Sequence, residues 1–580
     1  MKRKLQTRLL MLIAFISISA FSAIGQITTS AMSGIVKDPK GESLPGTTVK
    51  ATHLPTGTVY AMQTTSEGRY NLLNMKPGGP YTVEVSFLGL ESKKVEGLTL
   101  KLGETFVYNV TLGDASKQLG EVVVTAGGLL SSDRSGTVTN IGTREINTLP
   151  TISRSINDIT RVTPQAQGSS IGGGNYRQNN ITVDGANFNN SFGIGDNLPG
   201  GQATPIPLDA LGEISVNVTP VDVRQSGFIG GAVNLTTRSG TNEFSGSAYT
   251  YYRNQDNVGT QVKNYNRLTP NPNDVKIYGA RIGGPIIKNK LFFFGSIESD
   301  KQARPGQNAI AATATNPWPA TPNSRRPLNT ELDAISTYLR DTYGYETGAY
   351  QGYGFASERL NIVARLDWNI NKNNRFNIRY SQLESKNPSF ISTSTSPLSN
   401  SPVPVYGSAG GTRNGSTALA FQNSNYFTDN NYYSLVGELN STLFGGKLSN
   451  TFRGSYTNQN EPRTSESSVF PLVDILKDGQ PFTTFGYEPF TFGNLRDVES
   501  LNFIDYVQGT FGKHNLLAGA EFETSLTKNG FQRFGTSYYI FNSWDDFVQG
   551  NNPRSYAKTF SLTPGYAQAF PGFRDSKISL

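Results

Sequence analysis

Residues 359–380 constrain the fold of this chain more than any other stretch. Leu360, Ile362, Ala364, Leu366, Trp368 and Ile370 are apolar, and the residues between them are polar apart from Val363. After Asn371 to Asn374, the series Phe376, Ile378 and Tyr380 alternates with Arg375, Asn377 and Arg379. A period of two places one set of side chains on each face of a strand, so this is a hairpin with an apolar and a polar face. Tyr433 to Leu443 with Leu448 to Tyr456, and Leu501 to Phe511 with Leu516 to Leu526, repeat the pattern.

A soluble sandwich also alternates, so strand length and connections decide. The strands run near the ~9–11 residues that cross a bilayer at a tilt. Short turns lie near 285–290, 371–374, 444–447 and 512–515, while long polar segments fill 300–358, 384–430 and 458–500. Short turns at one end and long loops at the other are the signature of a transmembrane β-barrel. The composition agrees: 61 Gly, 27 Tyr, 33 Phe and 16% charged residues favour strands and turns, and no long 3.6-period apolar stripe stands out. The chain is expected to be all-β.

The first residues have the three parts of a secretory signal: basic Lys2, Arg3, Lys4 and Arg8, an apolar Leu9 to Ile18, and small Ala23 and Gly25 before a cut ahead of Gln26. Removing those four cations from the formal +7 leaves about +3, no argument for a nucleic-acid partner. The absence of cysteine excludes disulfides, a lipoprotein anchor and thiolate metal sites.

Ile27 to Leu112 reads as a small β-sandwich. Tyr81, Val83, Val85 and Phe87 alternate with polar residues, as do Phe106, Tyr108, Val110 and Leu112, and turn signals recur at Asp38-Pro39-Lys40-Gly41, Pro55-Thr56-Gly57 and Pro77-Gly78-Gly79. The block from Ser33 to Leu72 resembles the carboxypeptidase regulatory-like domain. Asp114 to about Gly240 is rich in Gly, Asn and Ser with little periodicity. It holds GEVVVTAGG (Gly120 to Gly128), ITVDGANFNN (Ile181 to Asn190) and the strand-rich Glu213 to Asn254.

These three pieces, in this order, with GGPIIKNKLFFFGS (Gly283 to Ser296), resemble TonB-dependent outer-membrane receptors of the Oar-like branch. The resemblance implies a signal peptide (1–25), a regulatory-like sandwich (26–113), a TonB box and plug (114–240) and the N-terminal part of a transmembrane barrel that normally has 22 strands (241–580). It places Glu121, Val122, Val123, Val124 and Thr125 at the TonB box, an extended run that adds to a sheet of the partner TonB. The alternative for these residues is a linker strand leaving the sandwich. Arg177, Asn179, Asn180, Asp184 and Gly185 fall in the plug's central motif, where plug structure is preferred over substrate binding. Asp184-Gly185 is expected to turn tightly, and Arg177 to pair with a barrel carboxylate.

The implied function is TonB-energised movement of an unidentified extracellular substrate across the outer membrane. The alternative is a surface binding or adhesion protein working through its sandwich and long loops. Aromatics in YGYETGAYQGYGF (Tyr343 to Phe355) are read as packing within their loop, rather than as a platform for glycans or peptides. No enzyme, cofactor or metal is expected. GSSIG fits a nucleophile elbow at Ser170 but lacks a strand before it and a helix after it, and the two histidines, His53 and His514, have no triad context. About nine wall strands are countable, fewer than a plugged transporter needs, so a fragment or truncated reading frame is expected. In GGPIIKNKLFFFGSIE, Pro285 to Lys290 turns at the periplasmic rim. Leu291, Phe293, Gly295 and Ile297 share one face and Phe292 and Phe294 the other, without settling which faces lipid.

Overall fold

The computed structural model describes residues 27–114, 137–151, 153–189, 205–218, 222, 224–225, 228, 230–261, 263, 271–393, 412–512, 514–562 and 572–579. Residues 1–25, read above as a secretory signal, and Glu121 to Thr125 lie outside the described residues.

An eleven-stranded antiparallel sheet forms the wall. It runs in chain order through Ser245–Asn254, Asp274–Ile287, Leu291–Pro305, Gly354–Asn369, Asn374–Ser389, Asn431–Leu443, Leu448–Thr464, Leu495–Phe511, His514–Gly530 and Gly572–Ser579. The short Tyr426–Asp429 continues the course of Asn431–Leu443 beside Asn374–Ser389. One more course is present than the alternation reveals: Gly572–Ser579 pairs with His514–Gly530, but its sequence GFRDSKIS has too few apolar residues to alternate.

The wall is inside-out relative to a soluble sheet. Tyr278, Ile282, Ile297, Leu366, Trp368, Leu435, Phe452 and Phe522 are exposed on its outer face. Asn361, Arg379, Ser381, Ser434, Thr451 and Arg453 are buried on its inner face. An apolar exterior and polar interior suit a surface that meets lipid outside and protein inside. The Phe292–Phe294 run resolves on this basis. Phe292 (1% exposed) and Phe294 (3%) point inward, while Ile297 (48%) marks the lipid side, where Phe293 lies 6.2 Å from the Phe244 ring. The turn is tighter than Pro285 to Lys290, because Ile287 already pairs with Leu291 and Asn289 takes a φ of 61°.

Within the wall's curve sits a five-stranded sheet in the order Thr137–Gly142, Leu211–Val218, Gly231–Thr237, Asn180–Val183, Ala186–Asn187. Its core of Ile159, Val183, Phe188, Ile214, Val216 and Leu235 is continuous with Phe294, Val363, Leu383, Tyr432 and Val436 of the wall. Val363, the apolar exception on a polar face, is thus a plug contact.

The sandwich has two sheets. One is ordered Thr58–Gln63, Thr48–His53, Gly78–Ser86, Lys93–Leu100; the other joins Arg69–Met75, Ser30–Lys37 and Thr105–Val107, with Val110–Thr111 also on Ser30–Lys37. Tyr81, Val83 and Val85 are fully buried between them.

The long loops carry structure of their own. Leu419–Ala420, Gln480–Phe485, Leu472–Lys477, Tyr538–Phe541 and Ser555–Ala557 make a five-stranded sheet, packed against the fifteen-residue helix Asn329–Tyr343. That helix corrects the expectation of no helical stripe. Leu332, Ile335 and Leu339 are its buried positions, a stripe too narrow to stand out in polar sequence. The Glu331 carboxylate accepts the Leu328 N–H at its start, and Gly344 (φ 64°) ends it. The loop aromatics pack across loops as well as within their own: Tyr345 stacks on Phe470 of another long loop at 4.3 Å, and Tyr350 donates to Asp333 within its own.

Candidate functional site

The plug's central motif folds as a strand and a tight turn. Asn180–Val183 runs parallel to Gly231–Thr237, then Asp184 (φ 46°) and Gly185 (φ 78°) reverse the chain so that Val183 pairs with Ala186. Asp184 tolerates the left-handed region and Gly185 prefers it. Gly185 has a second constraint, since a Cβ there would lie 2.2 Å from the Arg453 guanidinium of the wall.

The turn delivers a buried carboxylate to the wall. Asp184 accepts from the Thr237 N–H (2.9 Å) and hydroxyl (2.7 Å). Arg365 lies 3.1 Å from the same carboxylate and Arg379 3.0 Å. Both arginines are inward-facing wall residues; Arg365 also pairs with Asp367 (2.9 Å), and Arg379 donates to the Val183 carbonyl (3.1 Å). A carboxylate shared by two guanidiniums and two protein donors has its charge balanced in place, which makes the plug–wall junction specific in geometry.

Further plug–wall contacts extend this junction. The Tyr432 hydroxyl donates to the Asn187 carbonyl (2.5 Å), and its ring lies 4.2 Å from that of Phe188. Asp209 pairs with Arg281 of the wall (2.8 Å). Arg154 reaches Glu298 (3.4 Å) and covers the Tyr251 ring at 4.3 Å. Arg154 is thus a plug arginine paired with a wall carboxylate. Arg177 sits exposed in the short turn Tyr176–Gln178, its N–H donating to Asn175.

Asn179 and Asn180 tie the plug to itself. Asn179 Oδ1 accepts the Gly231 N–H (3.1 Å) and its amide donates to the Ser169 carbonyl (2.7 Å). Asn180 Oδ1 accepts from the Asn189 amide (2.7 Å). Ser170 donates its hydroxyl to the Gly174 carbonyl (2.6 Å), and His53 is buried in the sandwich with Nδ1 2.7 Å from the Thr56 hydroxyl. Burial pushes the His53 imidazole down to about 3.

Sandwich, plug and wall meet around a cavity of about 340 Å3, with His53, Lys76, Glu213, Arg365 and Arg375 in its lining. Glu213 Oε1 accepts the Leu102 N–H of the sandwich (2.9 Å), and burial pushes its carboxyl up to about 7.

Sequence reasoning missed Arg365, Arg379, Thr237, Asp209 and Arg281. The available signal was the recurrence of arginines on the polar face of wall strands, where water-filled lumen alone needs no fixed cation.

Residues 236–573, more than half the chain, match the family described as outer membrane beta barrel domain. The chain belongs to that family. Membership places it in the outer membrane, and residues 31–113 match the carboxypeptidase regulatory-like domain. The TonB-dependent transporter Oar of Myxococcus xanthus is 27% identical over 251 residues, 40% of this chain and 23% of the relative. The chain therefore spans less than a quarter of that relative's length. Among solved structures, the outer membrane transporter YddB of Escherichia coli covers 76% of this chain at 11% identity and a TM-score of 0.49, with 54% of that chain covered. The siderophore receptor PirA of Acinetobacter baumannii covers 68% of this chain at 16% identity and a TM-score of 0.38, with 48% of that chain covered. With a regulatory-like sandwich ahead of its outer-membrane barrel domain, the chain is similar to TonB-dependent transporters of the Oar type.

Proposed function

We propose that the chain serves in a transporter that moves a substrate across the outer membrane with energy delivered by TonB. One observation carries this reading: the plug sheet shares its core with the inner face of the wall and is fastened there by Asp184 between Arg365 and Arg379. A plug held by a few charged contacts, rather than by lipid-type packing alone, is displaceable by a directed pull without unfolding the wall. The likeness to Oar, named a TonB-dependent transporter, supports the energy source.

The reading assigns Glu121, Val122, Val123, Val124 and Thr125 to TonB docking by strand addition, in which main-chain hydrogen bonds supply affinity. It assigns 26–113 to the regulatory-like sandwich, 114–240 to box and plug, and 241–580 to the wall. Arg177, Asn179, Asn180, Asp184 and Gly185 act as plug structure, and no residue is assigned a catalytic step.

Val123→Pro in the full-length protein tests the assignment, because proline removes a donor from the added strand. The variant is expected to reach the outer membrane but to lose TonB binding and energised uptake, with the substrate found by growth tests of a deletion strain. Retention of both activities overturns the box. Uptake that survives deletion of TonB overturns the transporter reading.

A further inference from the structure

The sandwich meets the wall along successive short turns, the periplasmic end of a barrel of this kind. Pro55 O accepts the Asn242 N–H (2.8 Å), and the Asn369 amide donates to Thr58 (3.1 Å). Arg375 covers the Tyr60 ring at 4.2 Å. Asn74 donates to the Thr451 hydroxyl (2.9 Å) and accepts from Gln508 (3.0 Å). Two glycines mark the tightest approaches: a Cβ on Gly57 would lie 2.1 Å from Asn289 Oδ1, and one on Gly446 would lie 2.8 Å from Met62 Cβ.

Lys76 follows the strand Arg69–Met75 and enters the junction between plug and wall. Its ammonium lies 2.5 Å from the hydroxyl of Ser239, just beyond the plug strand Gly231–Thr237, and 3.7 Å from the Asp367 carboxylate. Asp367 pairs with Arg365, and Arg365 with Asp184. One row of alternating charges thus runs from sandwich through wall to plug. Glu213 forms a second, separate tie through Leu102.

We propose that the sandwich is a second gate beneath the plug, and that Lys76 is the positioning residue that latches one to the other. Whatever passes the plug must displace the sandwich from the wall's turns, and release of the Lys76 ammonium loosens the charge row that ends on Asp184. A docked sandwich holds the plug closed. An undocked one frees it.

The absence of cysteine gives a clean test, because the pair Gly57→Cys with Asn289→Cys has no competing thiol. A Cβ on Gly57 would lie 3.3 Å from Asn289 Cβ, slightly short of the roughly 3.5–4.5 Å that disulfides span, so a small outward shift of the two turns lets the bond form. Hydrogen exchange is then read at the plug strands Asn180–Val183 and Gly231–Thr237, in the full chain in membranes, with the pair oxidised and reduced, alone and combined with Lys76→Gln. Lys76→Gln is expected to speed plug exchange about tenfold, and the oxidised cross-link to restore parental protection. A purely local packing role for Lys76 gives no such rescue. Failure of the disulfide to form, unchanged exchange in Lys76→Gln, or no rescue by the cross-link overturns the proposal. Neither substrate nor TonB enters the measurement, so the outcome is independent of the transporter reading.

Discussion

The carboxylate of Asp184, on a plug turn, lies 3.0 Å from the guanidinium of Arg379, on a wall strand, and both side chains are buried. Residues far apart in sequence are thereby joined at a single buried charge. Asp184→Asn leaves two guanidiniums facing a neutral amide, and breaking a buried pair on one side costs about 3–5 kcal/mol. Limited proteolysis of the plug in outer-membrane preparations is expected to accelerate, while the wall strands remain resistant. Equal resistance of plug and wall in the variant contradicts the junction's importance.

Gly185 carries two demands at once, a φ of 78° and the approach of Arg453. Gly185→Ala is expected to weaken plug seating by about 1–2 kcal/mol. In Arg453→Ala the steric part of that cost disappears and the backbone part stays. A double-mutant cycle read by plug hydrogen exchange separates the two; strict additivity leaves no steric contact at this site.

Two buried groups outside the wall strands give opposite pH trends. Glu213 has its carboxyl raised from 4.5 to about 7 by burial, so the protonated form suits the docked state. Its contribution is complete below about 4.5 and is lost as pH rises through about 7. The Leu102 amide is expected to be better protected at about pH 5 than at about pH 8 once intrinsic exchange is corrected, and Glu213→Gln flattens the difference. His53 is lowered from 6.5 to about 3, so it is neutral when buried. Stability of the sandwich core is complete above about 6.5 and falls as pH drops toward about 3, which protection of the Val83 and Val85 amides reports.

In the loop sheet Arg413 pairs with Asp474 at 2.9 Å, and Tyr538 and Thr484 donate to the same carboxylate. Arg413→Met strands a buried carboxylate and is expected to cost about 3–5 kcal/mol. Proteolytic nicking within 465–494 is expected to rise without change at the wall. An unaltered loop pattern shows that the sheet does not depend on this pair.

The wall was legible in the sequence because lipid and lumen impose opposite chemistry on alternate residues, as at Leu360 to Ile370. Even the exception, Val363, had meaning, since it packs on the plug core. The turn at Asp184-Gly185 was legible for the same local reason. What joins distant segments was not. Nothing near Asp184 announces Arg365 or Arg379, because a strand pattern fixes the face of a residue but not its partner across the lumen. The loop sheet was hidden likewise: its strands come from three separate long segments, each too short to show a period alone. The final course Gly572–Ser579 was missed because its side chains do not sort by polarity.

The order of the plug sheet has a mechanical consequence. Its outermost strand on one side, Thr137–Gly142, lies nearest the N-terminus, while the Asp184 turn sits toward the opposite edge. The central strand Gly231–Thr237 runs on into the wall through a short covalent tether. Tension arriving from the N-terminal side therefore loads the free margin first. Once that margin peels away, the chain leads next to Asn180–Val183 rather than to its sheet neighbour Leu211–Val218, so the Asp184 clamp bears the load while the tether to the wall still holds.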